Sequence, residues 1–328
     1  MAVMRYREAL NQALREEMQR DERVFLMGED IGVFNGAFKV TAGLLEEFGE
    51  KRVRDTPISE NTIVGMGVGA AMTGLRPVVE LMTINFSLLA MDQIVNHMAT
   101  IHYMFGGQAK VPMVVRMPQG AGHQLGPTHS HCLEAMYLHV PGMLLAVPST
   151  AADAKGLLKA AIRDDNPVVF FEHKRLYPVK GELGGPDDVV PLGKAAVVRE
   201  GSDLTVITAM KGVHDALEAA ERLAERGIDV EVVDLRSFRP IDAETIVASA
   251  EKTGRVLVVE EGPRTGGWAA EVLAVVTEGA LGYLDDAWRL TMPDLPLPYS
   301  PPLEKAFLPG PDAITDAILS RAGIRAPA

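Results

Sequence analysis

The sequence predicts an α/β protein made of two parallel-sheet domains, each with helices on both faces of its sheet. Short apolar segments alternate with segments of helical periodicity along the chain of 328 residues. Strands that are apolar throughout need cover on both faces, which is typical of parallel sheets in three-layer domains. The alternation stops in a Gly-, Pro- and Asp-rich segment, residues 178–191, and then restarts. We therefore expect one domain over residues 1–185 and a second over 186–328.

Each predicted strand is a short apolar run, and each predicted helix carries an apolar stripe with few turn residues. In the first domain we expect strands at 24–27, 78–81, 113–116, 144–147 and 168–171. The helices between them are expected at 4–20, 59–74, 87–104, 130–139 and 151–164. In the second domain we expect strands at 204–207, 230–233 and 256–259, and helices at 213–226, 242–252, 267–279 and 312–322.

Composition limits the class of protein. A hydrophobic share of 47% supports large cores. A single cysteine, Cys132, excludes an intramolecular disulfide framework and fits a reducing compartment. The N-terminal residues have no signal-peptide core and no apolar run is long enough for a bilayer, so we expect a cytoplasmic protein without a membrane partner. The net charge of −12 argues against nucleic-acid binding and allows a basic protein partner.

The segment 55–74 places a carboxylate at the start of an apolar helix of small residues. Ser59 is a good N-cap, so Glu60 falls in the first turn, where an acid complements the helix dipole. The glycines at 65, 67 and 69 lower helix propensity, which is usually offset by close approach of another backbone or of a ligand. Glu60 is therefore either a structural first-turn acid or a carboxylate that meets a flat ligand.

A collinear series of motifs runs along nearly the whole chain. They occupy residues 28–30, 56–60, 85–86, 92–96, 103–107, 128–131, 153–157, 163–167, 232–240 and 258–261. With these motifs in this order, the chain resembles the beta subunits of the thiamine-diphosphate-dependent 2-oxo acid dehydrogenases. The resemblance implies a transketolase-like pyrimidine-binding domain followed by a transketolase C-terminal domain that forms the dimer contact and helps dock the acyltransferase.

The resemblance also implies roles for individual residues. Glu60 would hydrogen-bond a ring nitrogen of the aminopyrimidine and favour its imino tautomer, so that the cofactor removes its own thiazolium proton. Phe86 would stack on the same ring, with Leu81 and Met82 as apolar walls. His129 would orient the substrate, stabilise negative charge and assist transfer to a lipoyl group.

The sequence lacks the Gly-Asp-Gly motif, followed at a distance by Asn-Asn, that holds magnesium and the cofactor's diphosphate. In the resembled family an alpha subunit carries that site, so the resemblance implies a two-alpha two-beta heterotetramer, inactive as a lone chain, that works with a dihydrolipoyl acyltransferase core. Some relatives also bind potassium through main-chain carbonyls. The matching positions here are Met113, Ala161, Ile162, Asp164 and Asn166.

Substrate choice stays open between three 2-oxo acid dehydrogenase types. Segments 83–86 and 124–126 are closer to enzymes that oxidise pyruvate than to branched-chain enzymes, whereas 103–107 and 172–174 are also similar to acetoin dehydrogenases. We therefore expect oxidative decarboxylation of pyruvate with reductive acetylation of a lipoyl group, and keep the branched-chain and acetoin types as alternatives.

A metal-binding enzyme and a non-catalytic scaffold subunit are the two other classes of function. His123, His129, His131 and Cys132 lie within ten positions, but their irregular spacing is a poor match to a zinc site. A non-catalytic scaffold is disfavoured because Glu60 and His129 are both present. His131 stands where many relatives have glutamine, and His123 where some have another basic residue, so both roles stay open.

Overall fold

The computed structural model describes residues 3–185 and 188–321. The described residues fall into two compact units. The first contains the residues up to Gln119 together with Met136–Leu192, and the second contains Gly120–Ala135 together with the residues from Gly193 onward. The loop after the fifth strand therefore groups with the second unit, although the sequence suggested that it belongs to the first domain.

Helices and strands alternate through the first unit. Its strands are β1 (Val3–Arg5), β2 (Val24–Gly28), β3 (Val53–Asp55), β4 (Arg76–Glu80), β5 (Val114–Gln119), β6 (Leu144–Ala146), β7 (Val168–His173) and β8 (Lys180–Glu182). The helices in the same part of the chain are α1 (Tyr6–Arg20), α2 (Leu44–Phe48), α3 (Glu60–Met72), α4 (Ile101–Met104), α5 (Glu134–Leu138) and α6 (Ala151–Arg163). The chain passes from the second unit back to the first within α5, between Ala135 and Met136.

The central strands of the first unit are parallel, in the order β6-β7-β5-β4-β2-β3. Their residues are almost all buried, as expected for strands covered on both faces. A separate antiparallel pair joins β1 to β8. This pair lies partly within the segment predicted as a linker, so that segment is structured over Lys180–Glu182.

The second unit contains β9 (Ala196–Arg199), β10 (Leu204–Thr208), β11 (Val230–Asp234), β12 (Ser237–Arg239), β13 (Arg255–Pro263) and β14 (Asp286–Met292). Its helices are α7 (Lys211–Ala224), α8 (Ala243–Thr253), α9 (Trp268–Ala280), α10 (Pro301–Phe307) and α11 (Pro311–Leu319). The strand order is β14-β13-β10-β11-β9, parallel except for β9. Buried side chains of α7 and α11 pack on β10, β11 and β13. Both units thus confirm the predicted α/β fold.

The segment predicted as one helix over 87–104 is divided. A 3₁₀-helix spans Ile84–Ala90, a π-helix spans Gln93–Met98, and α4 follows. The first two pack against α3. Apolar periodicity separates helix from strand, but it does not distinguish these helix types, whose hydrogen bonds span three residues in a 3₁₀-helix, four in an α-helix and five in a π-helix. Within the described residues, no helix has the length and apolar character needed to cross a bilayer.

Candidate active site

The sheet of the first unit brings several predicted site residues to one edge. Gly28, the last residue of β2, lies opposite Asp55 of β3 on one side and Glu80 of β4 on the other. Neighbouring strands are about 4.8 Å apart, so the three segments that leave these strands begin side by side. One of them leads to Glu60 and another begins at Leu81. Ligands of parallel sheets bind at such carboxyl edges.

Glu60 is the first residue of α3, and only 6% of its surface is exposed. Ser59 occupies the predicted N-cap position, but its hydroxyl pairs with Thr62 Oγ1 at 2.9 Å and does not cap the helix backbone. Glu29, which directly follows β2, was not predicted as a site residue. Burial raises the pKa of Glu29, and the negative charges of Asp30 and Glu60 raise it further. The negative charge of Glu60 therefore acts on Glu29.

The glycines of α3 have a packing explanation. A Cβ at Gly67 would lie 2.8 Å from Met113 Cε and 2.9 Å from a methyl group of Val79. A Cβ at Gly65 would lie 3.1 Å from Gln93 Oε1, whereas Gly69 has open space around it. At positions 65 and 67 the close approach is therefore made by side chains of the same unit, and these two glycines are no evidence for a ligand.

The turn after β4 holds the proposed apolar walls. Leu81 is buried, and Met82 and Phe86 are half-buried. The Leu81 N–H donates to the Arg116 carbonyl at 3.0 Å, and Phe86 N–H donates to the Thr83 carbonyl at 3.0 Å. The first bond therefore ties the start of this turn to β5, and the second closes the turn itself.

Thr83 links the same turn to two further elements. Its hydroxyl donates to the Pro118 carbonyl at 3.1 Å and accepts from the buried Lys174 Nζ at 3.0 Å. The turn is therefore held between β5 and the segment after β7. A buried lysine beside a hydroxyl was not predicted, because nothing local in the sequence pairs residues 83 and 174.

A buried ionic cluster lies in the central strands. Arg116 of β5 is 1% exposed and donates two hydrogen bonds to Glu172 of β7, at 2.6 and 2.8 Å. It donates a third to Glu80 of β4 at 2.5 Å. Tyr177 OH also donates to Glu172, at 2.8 Å. Burial alone would lower the pKa of Arg116, but Glu172 and Glu80 raise it above its usual range, so the guanidinium stays charged.

His129 belongs to the second unit, at the end of a 3₁₀-helix over Pro127–His129. Its side chain is exposed, and its Nδ1 lies 3.1 Å from Thr128 Oγ1. His131 is half-buried, and burial lowers its pKa, which favours the neutral imidazole. His123 is exposed on the same loop.

Three of the five predicted potassium carbonyls have hydrogen-bond partners within the first unit. The five carbonyls belong to Met113, Ala161, Ile162, Asp164 and Asn166. Arg76 Nη1 donates to the carbonyls of Ile162 and Asp164 at 3.0 and 2.8 Å. The Met113 carbonyl accepts from Val168 N–H at 2.9 Å. A guanidinium cation therefore lies at two of the five carbonyls, and potassium binding stays a prediction.

The alternative of a metal enzyme gains no support from the geometry. Among residues 3–185 and 188–321, no three His, Cys, Asp or Glu side chains are arranged to hold a metal ion. Cys132 is buried and its Sγ lies 3.8 Å from Glu261 Oε1.

Comparisons with known proteins identify both domains. Residues 2–180 match the family model of the transketolase pyrimidine binding domain, and residues 193–314 match that of the transketolase C-terminal domain. The solved structure of a split gene transketolase, described as an inactive beta4 tetramer, superimposes with a TM-score of 0.80 over 98% of both chains. Its sequence is 24% identical, so this likeness concerns the fold alone.

Curated relatives are much closer in sequence. The chain is 50% identical to the pyruvate dehydrogenase E1 component subunit beta of Rhizobium meliloti, over 97% of this chain and 70% of that protein. It is 49% identical to the 2-oxoisovalerate dehydrogenase subunit beta of Bacillus subtilis, over 97% and 98% of the two chains. The pyruvate dehydrogenase E1 component subunit beta of Rickettsia felis is 47% identical, over 95% and 96%. The chain therefore belongs to the transketolase-like family of 2-oxo acid dehydrogenase beta subunits.

Proposed function

We propose that this chain is the beta subunit of a pyruvate dehydrogenase decarboxylating component. The reaction is the thiamine-diphosphate-dependent oxidative decarboxylation of pyruvate with reductive acetylation of a lipoyl group. The observation that carries the proposal is the buried carboxylate of Glu60 at a sheet edge of a pyrimidine-binding domain. Relatives about half identical in sequence, over almost the whole chain, carry pyruvate dehydrogenase names.

The residues at this edge suit an aminopyrimidine ring. Glu60 supplies a buried carboxyl group, and Leu81, Met82 and Phe86 supply apolar surface for a flat heterocycle. When bound, thiamine diphosphate supplies a carbon nucleophile for cleaving the bond between the carboxylate and the carbonyl of a 2-oxo acid. Glu60 then holds or donates a proton at the ring nitrogen, and its burial strengthens that hydrogen bond by excluding water.

His129 acts on the substrate side of the reaction. An imidazole can donate to a carboxylate or to a developing oxyanion, and it can move a proton during transfer to the lipoyl group. Its position on a glycine-rich loop and its exposed ring support this role.

Activity depends on an alpha subunit that holds magnesium and the diphosphate, in a two-alpha two-beta heterotetramer that serves a dihydrolipoyl acyltransferase core. The missing diphosphate motif supports this dependence. Exposed apolar side chains on the first unit support a protein partner, because large apolar patches usually mark interfaces. They include Leu89, Tyr103, Met104 and Phe105. The single cysteine, buried and reduced, supports a cytoplasmic location.

A second candidate function is the oxidation of branched-chain 2-oxo acids, favoured by the 49% identity to the Bacillus subtilis 2-oxoisovalerate dehydrogenase subunit. Acetoin dehydrogenase is a third candidate. Measuring kcat/KM of the assembled enzyme for pyruvate, 2-oxoisovalerate and acetoin distinguishes these three candidates. We expect pyruvate to be preferred; a higher value for either competitor would reassign the substrate.

The proposed role of Glu60 is tested with Glu60→Gln in the assembled enzyme. The amide cannot exchange the proton, so we expect a loss of about 2–4 kcal/mol of transition-state stabilisation with folding and assembly intact. The control is Glu271→Gln, which changes an exposed acid in the first turn of α9. If both variants turn over normally, Glu60 is only a first-turn acid.

Dependence on the alpha subunit is tested by calorimetry on the isolated chain with magnesium and thiamine diphosphate. Since this chain lacks a diphosphate motif, we expect no binding in the micromolar range. Micromolar or tighter binding without a second polypeptide would contradict the shared site.

A further inference from the structure

The loop that carries His129 begins with an unusual backbone. Gly120, Gly122, Gln124 and Gly126 all have positive φ, at 93°, 97°, 53° and 71°. Every second residue from Gly120 to Gly126 therefore has a positive φ. Alternation of this kind turns successive N–H groups toward the same side and makes a concavity that binds anions. Gln124 has a positive φ although it is not glycine, so contacts around it must offset the cost of this backbone conformation.

The anion in this concavity is the carboxylate of Glu304. Gly122 N–H donates to its Oε1 at 3.0 Å, and Gln124 N–H donates to its Oε2 at 3.2 Å. The side-chain Nε2 of Gln124 donates to the same Oε2 at 2.8 Å. Glu304 is 1% exposed, so these donors replace the water that a buried carboxylate loses. A second carboxylate, Glu261, accepts from Ala121 N–H at 2.7 Å.

Glu304 sits on an anchored element of the same unit. Its own N–H donates to the Ser300 carbonyl at 2.8 Å at the start of α10. Apolar packing joins this region to the loop through Ala121, Met292, Leu297, Phe307 and Leu308. A Cβ at Gly126 would lie 2.2 Å from the Tyr299 ring, so the loop backbone rests on that ring. The loop and residues 297–308 therefore pack as one body within the second unit.

A short path connects Glu304 to His129. The carboxylate fixes the backbone at Gln124, two residues before Gly126, and His129 N–H donates to the Gly126 carbonyl at 3.3 Å. We infer that Glu304 is a positioning residue for His129, which sets the loop conformation needed for acyl transfer to the lipoyl group. This inference rests on the proposed function.

The test compares Glu304→Gln with Glu278→Gln in the assembled enzyme. Glu278 is an exposed acid on α9, so the control removes the same charge from the same unit without touching the loop. In Glu304→Gln one carboxylate oxygen becomes an NH₂ group facing other donors. We expect amide hydrogen exchange at Gly122 and Gln124 to accelerate about tenfold. Reductive acetylation of lipoamide should fall about tenfold, while pyruvate oxidation with an artificial acceptor changes less than about twofold.

Unchanged exchange at Gly122 and Gln124 would overturn the inference. Faster exchange with both rates retained, or with both rates reduced equally, would also overturn it. Glu304→Asp, which keeps the charge but shortens its reach, should lie between wild type and Glu304→Gln in both measurements. It also decides the matter if the Gln variant does not assemble. Failure of the proposed function is distinguishable, because the assembled wild-type enzyme would then not oxidise pyruvate.

Discussion

Arg116→Met should strongly destabilise the first unit. The substitution removes the guanidinium that pairs with two buried carboxylates, those of Glu80 in β4 and Glu172 in β7. Methionine keeps the unbranched apolar stem of arginine but is shorter and uncharged, so the change removes the charge and three hydrogen bonds together with the volume of the guanidinium. The backbone carbonyl at position 116, which accepts from Leu81 N–H, is retained.

The expected loss follows from burial. Breaking a buried ion pair by removing one partner costs about 3–5 kcal/mol, because the remaining charge has lost its water. Here two carboxylates remain, which argues for the upper end, about 5 kcal/mol, a large part of a domain's stability. Burial already raises the pKa of Glu80 above its usual value, and loss of the Arg116 charge, which lowers it, raises that pKa further. The folded variant then binds extra protons, so its deficit should shrink as the pH falls from 8 to 5.

Urea unfolding followed by hydrogen exchange of the strand amides measures the effect. Trp268 and Trp288 both lie in the second unit, so their fluorescence does not report on the first. The control is Arg23→Met, because Arg23 pairs with Asp21 at the surface and such pairs are worth about 0–1 kcal/mol. If Arg116→Met at pH 8 costs no more than this control, the cluster is not ionised in the folded state.

Three further predictions concern His129, Glu260 and the predicted potassium site. His129→Ala should reduce lipoyl-coupled activity more than reduction of an artificial acceptor, as stopped-flow rates would measure; equal losses would contradict a role in acyl transfer. Burial raises the pKa of Glu260 to about 7 from 4.5, so the folded state binds more protons between these values and stability falls by up to about 3 kcal/mol as the pH rises through them. Glu260→Gln should remove that slope in tryptophan-monitored unfolding, and an unchanged slope would assign it to another group. Replacing sodium in the buffer by potassium at constant ionic strength should raise Tm by a few degrees if the predicted carbonyls bind potassium. No shift would mean that Arg76, which donates to two of these carbonyls, takes the place of the ion.

The sequence determined most elements of the fold because their signals are local. Apolar runs and 3.6-residue periodicity predicted the central strands and the long helices, usually within one or two residues at each end. The same signals failed where an element's identity depends on its neighbours. The 3₁₀- and π-helices over Ile84–Met98 pack on α3, and β8 exists through its pairing with β1.

Glu60 shows how far sequence reasoning reaches at the site. Its position at the start of a helix was predictable from Ser59 and the apolar run that follows. Its role came from the resemblance, since a first-turn acid alone has a sufficient structural explanation. Glu29, by contrast, became a candidate site residue only in the folded structure, where the sheet brings the ends of β2 and β3 side by side.

Sequence alone therefore determined the α/β class, the family resemblance and the residues to suspect. Tertiary structure decided which charges neutralise each other and which element supports each loop. Arg116 lies 36 residues from Glu80 and 56 from Glu172, and Glu304 lies 180 from Gln124. No local pattern encodes such pairs, because a buried carboxylate is stabilised by whichever donors the folded chain brings within hydrogen-bond distance.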